Sequence, residues 1–528
     1  MVNCDTINLT LMCNVYLRLP HNECSDPIDI ERGIRQGDPL SPLLFIMFIA
    51  GLPQFLRQQG HVGCTPLPGG PTLRCLLYAD DIVLAATSPE DLQHALNLAH
   101  TFLASRRLYI NPGKGKSELL LIRPHNSTAV CPSMWCGHHL LHPTDSYTYL
   151  GMIFSSSLST ADQRRLALEE AKKALGRVAH LLRSDSLAPR CITPVVHATL
   201  TSQLEYAAAV WDTPSVPWPE ADKIYITALR NAFHLPPFSS RMALLAETGT
   251  HPWHIRSAEG RIALLQRLMG GGRVDSITAQ LIVSSLNSPL SLTAGTWANE
   301  THLLLDSLGI TIAGIDHAAG HLRQRWQEEY DQTCVDDLRL APWYHTIQQH
   351  PTRAHYLSRG AKYDRAWRTR GKFRMGLEHF PFPTSGGQVH PAVVCPLCHA
   401  HEHSPTHTLC YCPALEEHRK ACKERLVQEL PDSPYWALLS TGSIDPATLE
   451  GGTRQHRAEE MGSPLWQDIL MDTDYVKQLL PRSTKGECFR DKMRLVSGTL
   501  LFCIEQELRG VAQGGDEDTA DAPAGIDA

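Results

Sequence analysis

The amino-acid sequence predicts an α+β fold, with a short β-rich part near the start of the chain and a mainly helical part after it. Three observations support this prediction. Two short apolar runs, residues 76–77 and 82–86, flank a polar turn and predict a β-hairpin. Apolar residues recur with helical spacing through residues 161–183. A cluster of Cys and His residues between positions 395 and 412 predicts a small metal-binding module.

Composition places the chain among globular proteins. Its 528 residues suffice for about two to four domains, and 43% hydrophobic and 20% charged residues are ordinary values. The net charge of −7 does not favour a nucleic-acid binder, although local charge asymmetry matters more than the sum. The start of the chain lacks signal-peptide features, and the longest uncharged apolar stretch, residues 41–52, is too short to span a bilayer. We therefore expect reduced cysteines, an intracellular compartment and no membrane partner.

The predicted hairpin carries Tyr78, Ala79, Asp80 and Asp81 at its tip. Hairpin turns favour Gly or Asn, which tolerate positive φ, so Ala-Asp-Asp is a poor turn sequence. Two adjacent carboxylates are, however, oxygen ligands suited to Mg²⁺, and two such ions stabilise the attacking and leaving oxygens in nucleotide polymerases. The alternative is a solvated turn that holds two aspartates, and these residues alone do not decide between the two.

A loop rich in Gly and Pro, residues 33–42, precedes a strongly apolar helix. Its sequence is Gly-Ile-Arg-Gln-Gly-Asp-Pro-Leu-Ser-Pro, in which Ser41 and Pro42 predict a capped helix start. Backbone amides at a helix start beside Arg35 suit a phosphate group or a nucleic-acid backbone. The alternative is a simple turn that caps a core helix.

Four motifs in one order carry a family resemblance. The loop at 33–42 precedes the Tyr-Ala-Asp-Asp tip, an Asn and a Lys follow within residues 108–114, and Tyr-Leu-Gly-Met lies at 149–152. In this order the motifs resemble the reverse transcriptases of non-LTR retrotransposons. The resemblance is strong over residues 30–155 and continues more weakly to about residue 425. It implies a polymerase palm that is closed by the Tyr-Leu-Gly strand and leads into a thumb.

The resemblance implies roles for particular residues. Asp80 and Asp81 would be catalytic carboxylates that hold Mg²⁺ or Mn²⁺, with Asp80 the more direct ligand. Lys114 would approach the nucleotide phosphates and stabilise charge or protonate the leaving pyrophosphate. The next residue is Gly115, where the family commonly has Thr or Ser, so Lys116 and a plain surface lysine remain alternatives. The residues expected against the incoming nucleotide and the template are Arg35, Gln36, Gly37 and Tyr78.

One element of the family's palm is not recognisable in the sequence. A polymerase palm needs a further Asp from an earlier strand, because a hairpin alone cannot chelate two ions in the required geometry. Only 32 residues precede Gly33, and Asp5, Asp26 and Asp29 lack an apolar strand context. We therefore expect an N-terminally truncated reverse transcriptase without fingers, first palm strand or endonuclease, and we do not expect catalysis by this chain alone.

Beyond the palm, the sequence predicts helices. Residues 161–183 form an amphipathic pattern whose basic face would follow the template-primer backbone in a thumb, or would simply face solvent. Residues 204–211 lie in another predicted helix and resemble a segment that recurs downstream of the family's palm. Both segments fit the helical part of the predicted α+β fold.

The charge balance becomes strongly basic between Arg353 and Arg374. Eight basic residues face one acid, Asp364, and four aromatic residues are interleaved with them. Cations on phosphates and aromatic rings on bases are the two contributions that bind single-stranded nucleic acid. We expect nucleic-acid contacts here, and the alternative is a basic helical face over buried aromatics. The residues expected to make these contacts are Arg359, Lys362, Arg365, Trp367, Arg368, Arg370 and Lys372.

The Cys and His cluster that follows has the spacing of a structural zinc site. Cys395 and Cys398 are separated by two residues, and His407 and Cys412 complete a tetrahedral set for Zn²⁺. The competing ligands in this segment are Cys410, His399, His401 and His403. The preferred set resembles the C-terminal zinc knuckle of the family, which would fold a small module and place basic residues on nucleic acid.

The sequence therefore leaves two functional hypotheses. The first is RNA-directed DNA synthesis from an RNA template, a DNA primer or target and deoxynucleoside triphosphates. The second is a non-enzymatic remnant that binds RNA or DNA through the basic segment and the zinc knuckle. Nuclear residence follows from the family's work on chromosomal DNA. The predicted domains are a partial palm (1–155), a helical thumb (156–240), a helical connector (241–390), a zinc knuckle (391–425), C-terminal helices (426–512) and a disordered acidic tail (513–528).

Overall fold

The fold is known from a computed structural model. The residues that it describes are 14–15, 25–26, 28–29, 37, 39–123, 127–214, 217–237, 239–269, 276–289, 293, 295–336, 343–357, 367–375, 394–399, 407–429, 471, 494, 496–501, 503–504 and 506–507. The elements and sites below are built from these residues.

Ten short strands lie among the described residues, and all of them fall between residues 14 and 155. They are β1 (Asn14–Val15), β2 (Ile28–Asp29), β3 (Cys75–Tyr78), β4 (Asp81–Leu84), β5 (Glu118–Leu120), β6 (Trp135–Cys136), β7 (His139–Leu140), β8 (His142–Thr144), β9 (Ser146–Tyr149) and β10 (Met152–Ser155). The pairs β1–β2, β3–β4, β6–β7 and β9–β10 are antiparallel, and β5–β8 is parallel.

Helices make up most of the rest of the described chain. In the first 183 residues they are α1 (Ser41–Ile49), α2 (Leu52–Gln58), α3 (Pro89–Ser105) and α4 (Ala161–Arg183). Those that follow are α5 (Ile192–Val196), α6 (Ser202–Leu204), α7 (Ala208–Trp211), α8 (Pro219–Phe233), α9 (Arg241–Thr248), α10 (Trp253–Met269), α11 (Ile277–Leu286), α12 (Trp297–Ser307), α13 (Ala318–Asp336), α14 (Trp343–Ile347), α15 (Trp367–Arg374) and α16 (Glu416–Glu429). The mixture of strands and helices agrees with the predicted α+β class.

The chain divides into two compact units. The first comprises residues 1–163 and 267–299, and the second comprises residues 164–266 and 300–528. Within the part of the chain that the structure describes, no helix is both long enough and apolar enough to cross a bilayer. The finer domain boundaries drawn from the sequence stay predictions.

The core of the first unit lies between α2, α3 and the β3–β4 hairpin. Leu52 and Leu56 of α2 are fully buried, and the rings of Phe55 and Phe102 lie 5.3 Å apart. Ser88 is the N-cap of helix α3: its hydroxyl oxygen accepts a hydrogen bond of 3.2 Å from the backbone amide of Asp91, which stabilises the first turn. These apolar contacts hold one face of the hairpin. Burial of apolar surface contributes roughly 25 cal/mol of stabilising free energy per Å².

The start of α1 differs from the prediction. Ser41 is not the N-cap but the first helical residue, and Leu40 occupies the cap position without a side-chain hydrogen bond at that cap. Pro42 lies within the first two helical positions, as predicted, because its fixed φ suits a helix start.

The predicted helix at residues 204–211 is interrupted. Helix α6 ends at Leu204, α7 begins at Ala208, and Ala207 between them has a left-handed φ of 54°. The indole nitrogen of Trp211 donates a 2.7 Å hydrogen bond to the carbonyl oxygen of Tyr206, which stabilises the break. By contrast, the amphipathic helix predicted over residues 161–183 is present as α4.

Helices and buried aromatic rings form the second unit. The Trp218 ring lies 5.7 Å from that of Trp211 and 4.8 Å from that of Trp253, both edge-on. Asp212 lies beside these rings and accepts hydrogen bonds from Arg164, at 2.8 Å, and from the Trp253 indole, at 3.1 Å. A buried carboxylate is tolerated here because its oxygens are paired.

Candidate active site and metal centre

The β3–β4 hairpin has the predicted geometry. Its register sets Tyr78 opposite Asp81, so Ala79 and Asp80 form a two-residue turn. Ala79 has a φ of 50°, in the left-handed region that residues other than Gly rarely occupy. The poor turn sequence is therefore accommodated by backbone strain at Ala79, which costs on the order of 1–3 kcal/mol.

The hairpin tip projects from a packed base. Cys75, Leu77, Ile82 and Leu84 pack against the α2–α3 core described above. At the tip, Tyr78 is 63% exposed, and Asp80 and Asp81 are exposed as well. Two exposed carboxylates on a fixed base are an arrangement that can supply oxygen ligands to a divalent cation.

A second set of contacts holds the segment before β3. Asp91, in the first turn of α3, accepts hydrogen bonds from the amides of Val62 (3.0 Å) and Gly63 (2.9 Å). Its carboxylate also lies 3.1 Å from Nδ1 of buried His61, whose Nε2 is 3.2 Å from the carbonyl oxygen of Arg74. Burial alone would raise the pKa of Asp91, but the two amide hydrogen bonds and His61 lower it below its usual value. The chain that enters the hairpin is thus tied to the helix that follows it.

Strand β9 lies beside the hairpin tip. Burial, together with the negative charge of Asp81, raises the pKa of Tyr149, so its phenol is within electrostatic reach of that carboxylate. The Tyr147 hydroxyl donates a hydrogen bond of 3.3 Å to the carbonyl oxygen of Lys116. This hydrogen bond ties β9 to the loop that carries Lys114 and Lys116. Tyr149 was not expected at the site, because the Tyr-Leu-Gly motif indicated only the end of a strand.

The Tyr-Leu-Gly motif forms a turn as well as a strand end. Tyr149 pairs with Met152 across the β9–β10 hairpin, and Leu150 and Gly151 are its two turn residues. Their φ angles are 50° and 76°, and positive φ at both positions is what a type I′ hairpin turn requires. The glycine of the motif therefore has a backbone role here.

The remaining residues predicted at the active site are placed unequally. Arg35 and Gln36 lie outside the described residues, whereas Gly37 is exposed with a φ of 86°. Lys114 is exposed in a turn. The side chains of Asn111 and Glu118 fix this turn by accepting hydrogen bonds from backbone amides, at 3.0 and 2.8 Å. Contacts of these residues with a nucleotide stay predictions.

Potential metal ligands gather at a different place. Across the residues that the structure describes, one group of three or more His, Cys, Asp or Glu side chains lies within metal-binding reach, and it is not at the hairpin. Asp80 and Asp81 fit a Mg²⁺ site as two of its oxygen ligands. The expectation that this chain lacks the further palm Asp stays a prediction. Asp29, which was expected to lack a strand context, is the last residue of β2 and pairs with Asn14. The sequence did not indicate this strand because two residues are too few to show an alternating pattern.

The group consists of the four predicted zinc ligands. The ligand atoms of Cys395, Cys398, His407 and Cys412 all lie within 4.8 Å of one another. Sγ of Cys395 is 3.8 Å from Sγ of Cys412, and Sγ of Cys398 is 3.3 Å from Nε2 of His407. With Zn–S bonds of about 2.3 Å, tetrahedral geometry places two sulfurs about 3.8 Å apart. The four side chains therefore fit Zn²⁺.

Two turns bring these ligands together. The amide of His399 donates to the carbonyl oxygen of Cys395 at 2.9 Å, and the amide of Cys412 donates to that of His407 at 2.7 Å. His399 is exposed and is not part of the group, while the side chain of Cys410 lies outside the described residues. Burial raises the pKa of the Cys412 thiol to about 12, and Zn²⁺ would offset this by binding the thiolate. His401 and His403 also lie outside the described residues.

The described part of the basic segment packs inside the second unit. Trp367 packs edge-on against Phe233, with ring centroids 5.2 Å apart. Arg370 is fully buried and donates to the carbonyl oxygen of Arg494, at 3.1 Å, and to the hydroxyl of Ser497, at 3.2 Å. The burial of Trp367 and Arg370 favours the alternative of a basic helix over buried aromatics, and their contact with nucleic acid stays a prediction.

The other residues of the basic segment are less buried or not described. Arg368 is partly exposed and donates to Asp185, at 2.9 Å, and to the carbonyl oxygen of Ala232, at 2.8 Å. Lys372 is partly exposed, and its contact with nucleic acid stays a prediction. The candidates outside the described residues are Arg359, Lys362 and Arg365.

Comparison with known proteins identifies a matching family and several relatives of this chain. Residues 2–154 match the family described as reverse transcriptase (RNA-dependent DNA polymerase). Over 366 residues, the chain is 25% identical to the Retrovirus-related Pol polyprotein from type-1 retrotransposable element R2 of Nasonia vitripennis, which covers 64% of this chain and 32% of that protein. The corresponding R2 polyprotein of Popillia japonica is 24% identical over 249 residues, 46% of this chain and 38% of that protein. Together these matches support a reverse transcriptase of the non-LTR retrotransposon kind, with the family match lying in residues 2–154.

A third relative has the same character. The RNA-directed DNA polymerase from mobile element jockey of Drosophila funebris is 32% identical over 136 residues, which cover 25% of this chain and 14% of that protein. The matched part of this chain spans between 32% and 38% of the length of the two R2 polyproteins. The resemblance to non-LTR reverse transcriptases that the sequence motifs carry is confirmed.

Proposed function

We propose that this chain supplies the catalytic hairpin for RNA-templated DNA synthesis. In this reaction a primer 3′-hydroxyl attacks the α-phosphorus of a deoxynucleoside triphosphate, a phosphodiester bond forms and pyrophosphate leaves. The observation that carries the proposal is the pair of exposed carboxylates, Asp80 and Asp81, at the tip of a packed hairpin within the segment that matches the family.

The residues around the tip have distinct roles in this proposal. Divalent ions, when bound, neutralise charge on the phosphates and activate the hydroxyl. Asp80 and Asp81 would hold these ions, and the phenol of Tyr149 lies within electrostatic reach of Asp81. Lys114 would donate a proton or a positive charge to the leaving pyrophosphate. Because two-metal chemistry needs a further carboxylate, the proposal requires one beside the tip, from this chain or from a second polypeptide.

A second function is supported by a separate observation. The Cys395, Cys398, His407 and Cys412 side chains already form a closed four-ligand set, which suits structural zinc and leaves no ligand position for catalysis. We propose that the zinc-bound module binds RNA or DNA. This function does not depend on the hairpin, so it could persist in a chain that does not polymerise.

Primer extension separates the two functions. The purified chain is given a poly(rA) template, an oligo(dT) primer, thymidine triphosphate and Mg²⁺, and is compared with Asp80→Asn. The matched control is Asp306→Asn, an exposed aspartate of α12. Extension by the wild type and the control that is lost in Asp80→Asn supports polymerisation. Extension that persists in Asp80→Asn contradicts the assigned site.

Absence of extension from every protein contradicts catalysis by this chain alone. Nucleic-acid binding is then measured on the same preparations by RNA retention at increasing salt concentrations. Binding that weakens with salt and falls when Cys398→Ala removes a zinc ligand supports the second function. Binding that is insensitive to Cys398→Ala contradicts it.

A further inference from the structure

Arg419 is a buried arginine next to the Cys and His cluster. It lies on α16, seven residues after the last ligand, and only 3% of its surface is exposed. Its Nη2 atom donates hydrogen bonds to the carbonyl oxygen of Cys412, at 2.5 Å, and to the carboxylate of Glu416, at 2.7 Å. Its Nη1 atom is also buried, and no described group accepts a hydrogen bond from it.

The charge of this guanidinium is poorly compensated by Glu416. A buried cation needs a buried partner, because desolvation costs several kcal/mol per ion. The side chain of Glu416 is 64% exposed, whereas that of Arg419 is 3% exposed, so solvent weakens their attraction. The stronger partner must come from the buried side of Arg419, where Cys412 lies.

The cluster would provide that partner once it holds zinc. Three thiolates, one neutral imidazole and Zn²⁺ together carry one net negative charge, which is buried with Cys395 and Cys412. We propose that Arg419 is the counter-charge of this site: it neutralises the thiolate-rich zinc centre and positions Cys412 through its carbonyl group. This inference rests on the zinc site proposed above.

Outer-shell partners of metal ligands typically change metal affinity by about 10–100-fold. We therefore expect Arg419→Gln, which keeps a hydrogen-bond donor but removes the charge, to weaken Zn²⁺ binding by about that factor. Arg419→Lys keeps the charge and should recover most of the affinity. Arg425→Gln, on an exposed position of the same helix, should bind zinc like the wild type.

The measurement is competition between the full chain and a zinc-binding dye. Cobalt substitution provides a second readout, since the thiolate-to-Co²⁺ absorption band shows whether three sulfurs still bind the metal. Each Arg419 variant is also placed in a Cys398→His background, where a two-thiolate, two-imidazole set makes the zinc centre neutral. If Arg419 acts by charge, the loss caused by Arg419→Gln should shrink to a few-fold in that background.

Four results would overturn the inference. Equal losses in both backgrounds would mean that Arg419 acts only through the Cys412 carbonyl group, and an affinity unchanged in Arg419→Gln would remove its role altogether. Failure of the wild-type chain to bind one zinc ion, or binding that survives Cys398→Ala and Cys412→Ala together, would overturn the zinc site itself and this inference with it. Failure of the zinc site can be told apart from failure of the Arg419 inference, because it is seen in proteins that retain Arg419.

Discussion

At the scale of single residues, Asp91 connects the hairpin to its support. Its carboxylate accepts hydrogen bonds from two backbone amides and lies 3.1 Å from the His61 ring, and these contacts lower the pKa of Asp91. A carboxylate with a lowered folded-state pKa adds stability above its unfolded pKa of about 3.9, and this stability is lost as the pH falls through the folded-state value. The contribution of Asp91 should therefore be complete at neutral pH and absent in acid.

Asp91→Asn tests this pH dependence. At pH 7 we expect the free energy of unfolding to fall by about 1–2 kcal/mol, since hydrogen bonds to a charged acceptor are lost. The difference from the wild type should disappear as the pH is lowered below about 4. Urea denaturation across a pH series measures it, with Glu90→Gln on the exposed neighbouring position as the control. A difference that stays constant down to low pH would contradict the assignment.

Arg374 and Glu247 form a buried ion pair in the second unit. Their side chains are 1% and 0% exposed, Arg374 Nε lies 2.5 Å from Glu247 Oε1, and the Tyr344 hydroxyl donates to the other carboxylate oxygen at 2.9 Å. Removing one partner of such a pair leaves an uncompensated buried charge, which typically costs 3–5 kcal/mol.

The prediction is that Arg374→Met destabilises the chain by about 3–5 kcal/mol in urea denaturation. Adding Glu247→Gln to Arg374→Met should recover part of that loss, because the buried negative charge is then gone. Arg425→Met, at an exposed position, should have little effect. If Glu247→Gln lowers the stability of Arg374→Met by as much as it lowers that of the wild type, the two side chains are not coupled.

At the scale of elements, α15 shows why charge in a sequence is ambiguous. Its cations appear unpaired along the sequence because their partners lie far away: Asp185 and Glu247 precede Arg368 and Arg374 by 183 and 127 residues. Tertiary pairing of that range leaves no local pattern. The sequence therefore could not show that the rings of Trp367 and Phe373 and the guanidinium groups of Arg370 and Arg374 are buried.

Close packing of α15 also predicts the effect of Gly371→Ala. A Cβ atom at this position would lie 2.8 Å from the Tyr356 hydroxyl and 3.0 Å from the Phe233 ring. Although Ala favours helices over Gly by about 1 kcal/mol, we expect a net loss of about 1–3 kcal/mol from overpacking. Thermal unfolding measures it, and Gly176→Ala in α4, where a Cβ meets nothing within 4 Å, should instead stabilise.

The hairpin and the zinc ligands could be predicted because their signals are local. A two-residue gap between apolar runs is enough to predict the β3–β4 hairpin, and fixed spacing links Cys395 with Cys398. The left-handed Ala207 could not be predicted, since such a break is normally indicated by Gly or Asn and Ala gives no such signal. The electrostatic influence of Asp81 on Tyr149 likewise depends on how segments far apart in the sequence pack together.

At the scale of the whole molecule, contiguous domains are the simplest prediction from a sequence. The first unit nevertheless takes in residues 267–299 as well as residues 1–163. Nothing in the composition of the later segment indicates this, because unit membership is decided by long-range packing. The family match over residues 2–154 lies within this first unit, whereas the Cys and His group lies in the second.

Metal removal should change the reactivity of the cysteines in the Cys and His group. We expect a strong chelator to expose Cys395, Cys398 and Cys412 to thiol reagents, since zinc would no longer hold them as buried thiolates. Mass spectrometry after alkylation identifies the modified residues, with buried Cys136 of the first unit as the internal control. Equal labelling of the three cysteines before and after chelation would contradict a bound metal.

The central claim is that the hairpin tip is a divalent-metal site, and affinity cleavage by Fe²⁺ tests it without requiring catalysis. Fe²⁺ that replaces Mg²⁺ generates radicals that cut the backbone close to the bound ion. We predict cuts near residues 75–84 that Mg²⁺ suppresses by competition and that Asp80→Asn with Asp81→Asn abolishes. Cuts at the hairpin that survive this double substitution, or no cuts there in the wild type, would contradict the claim.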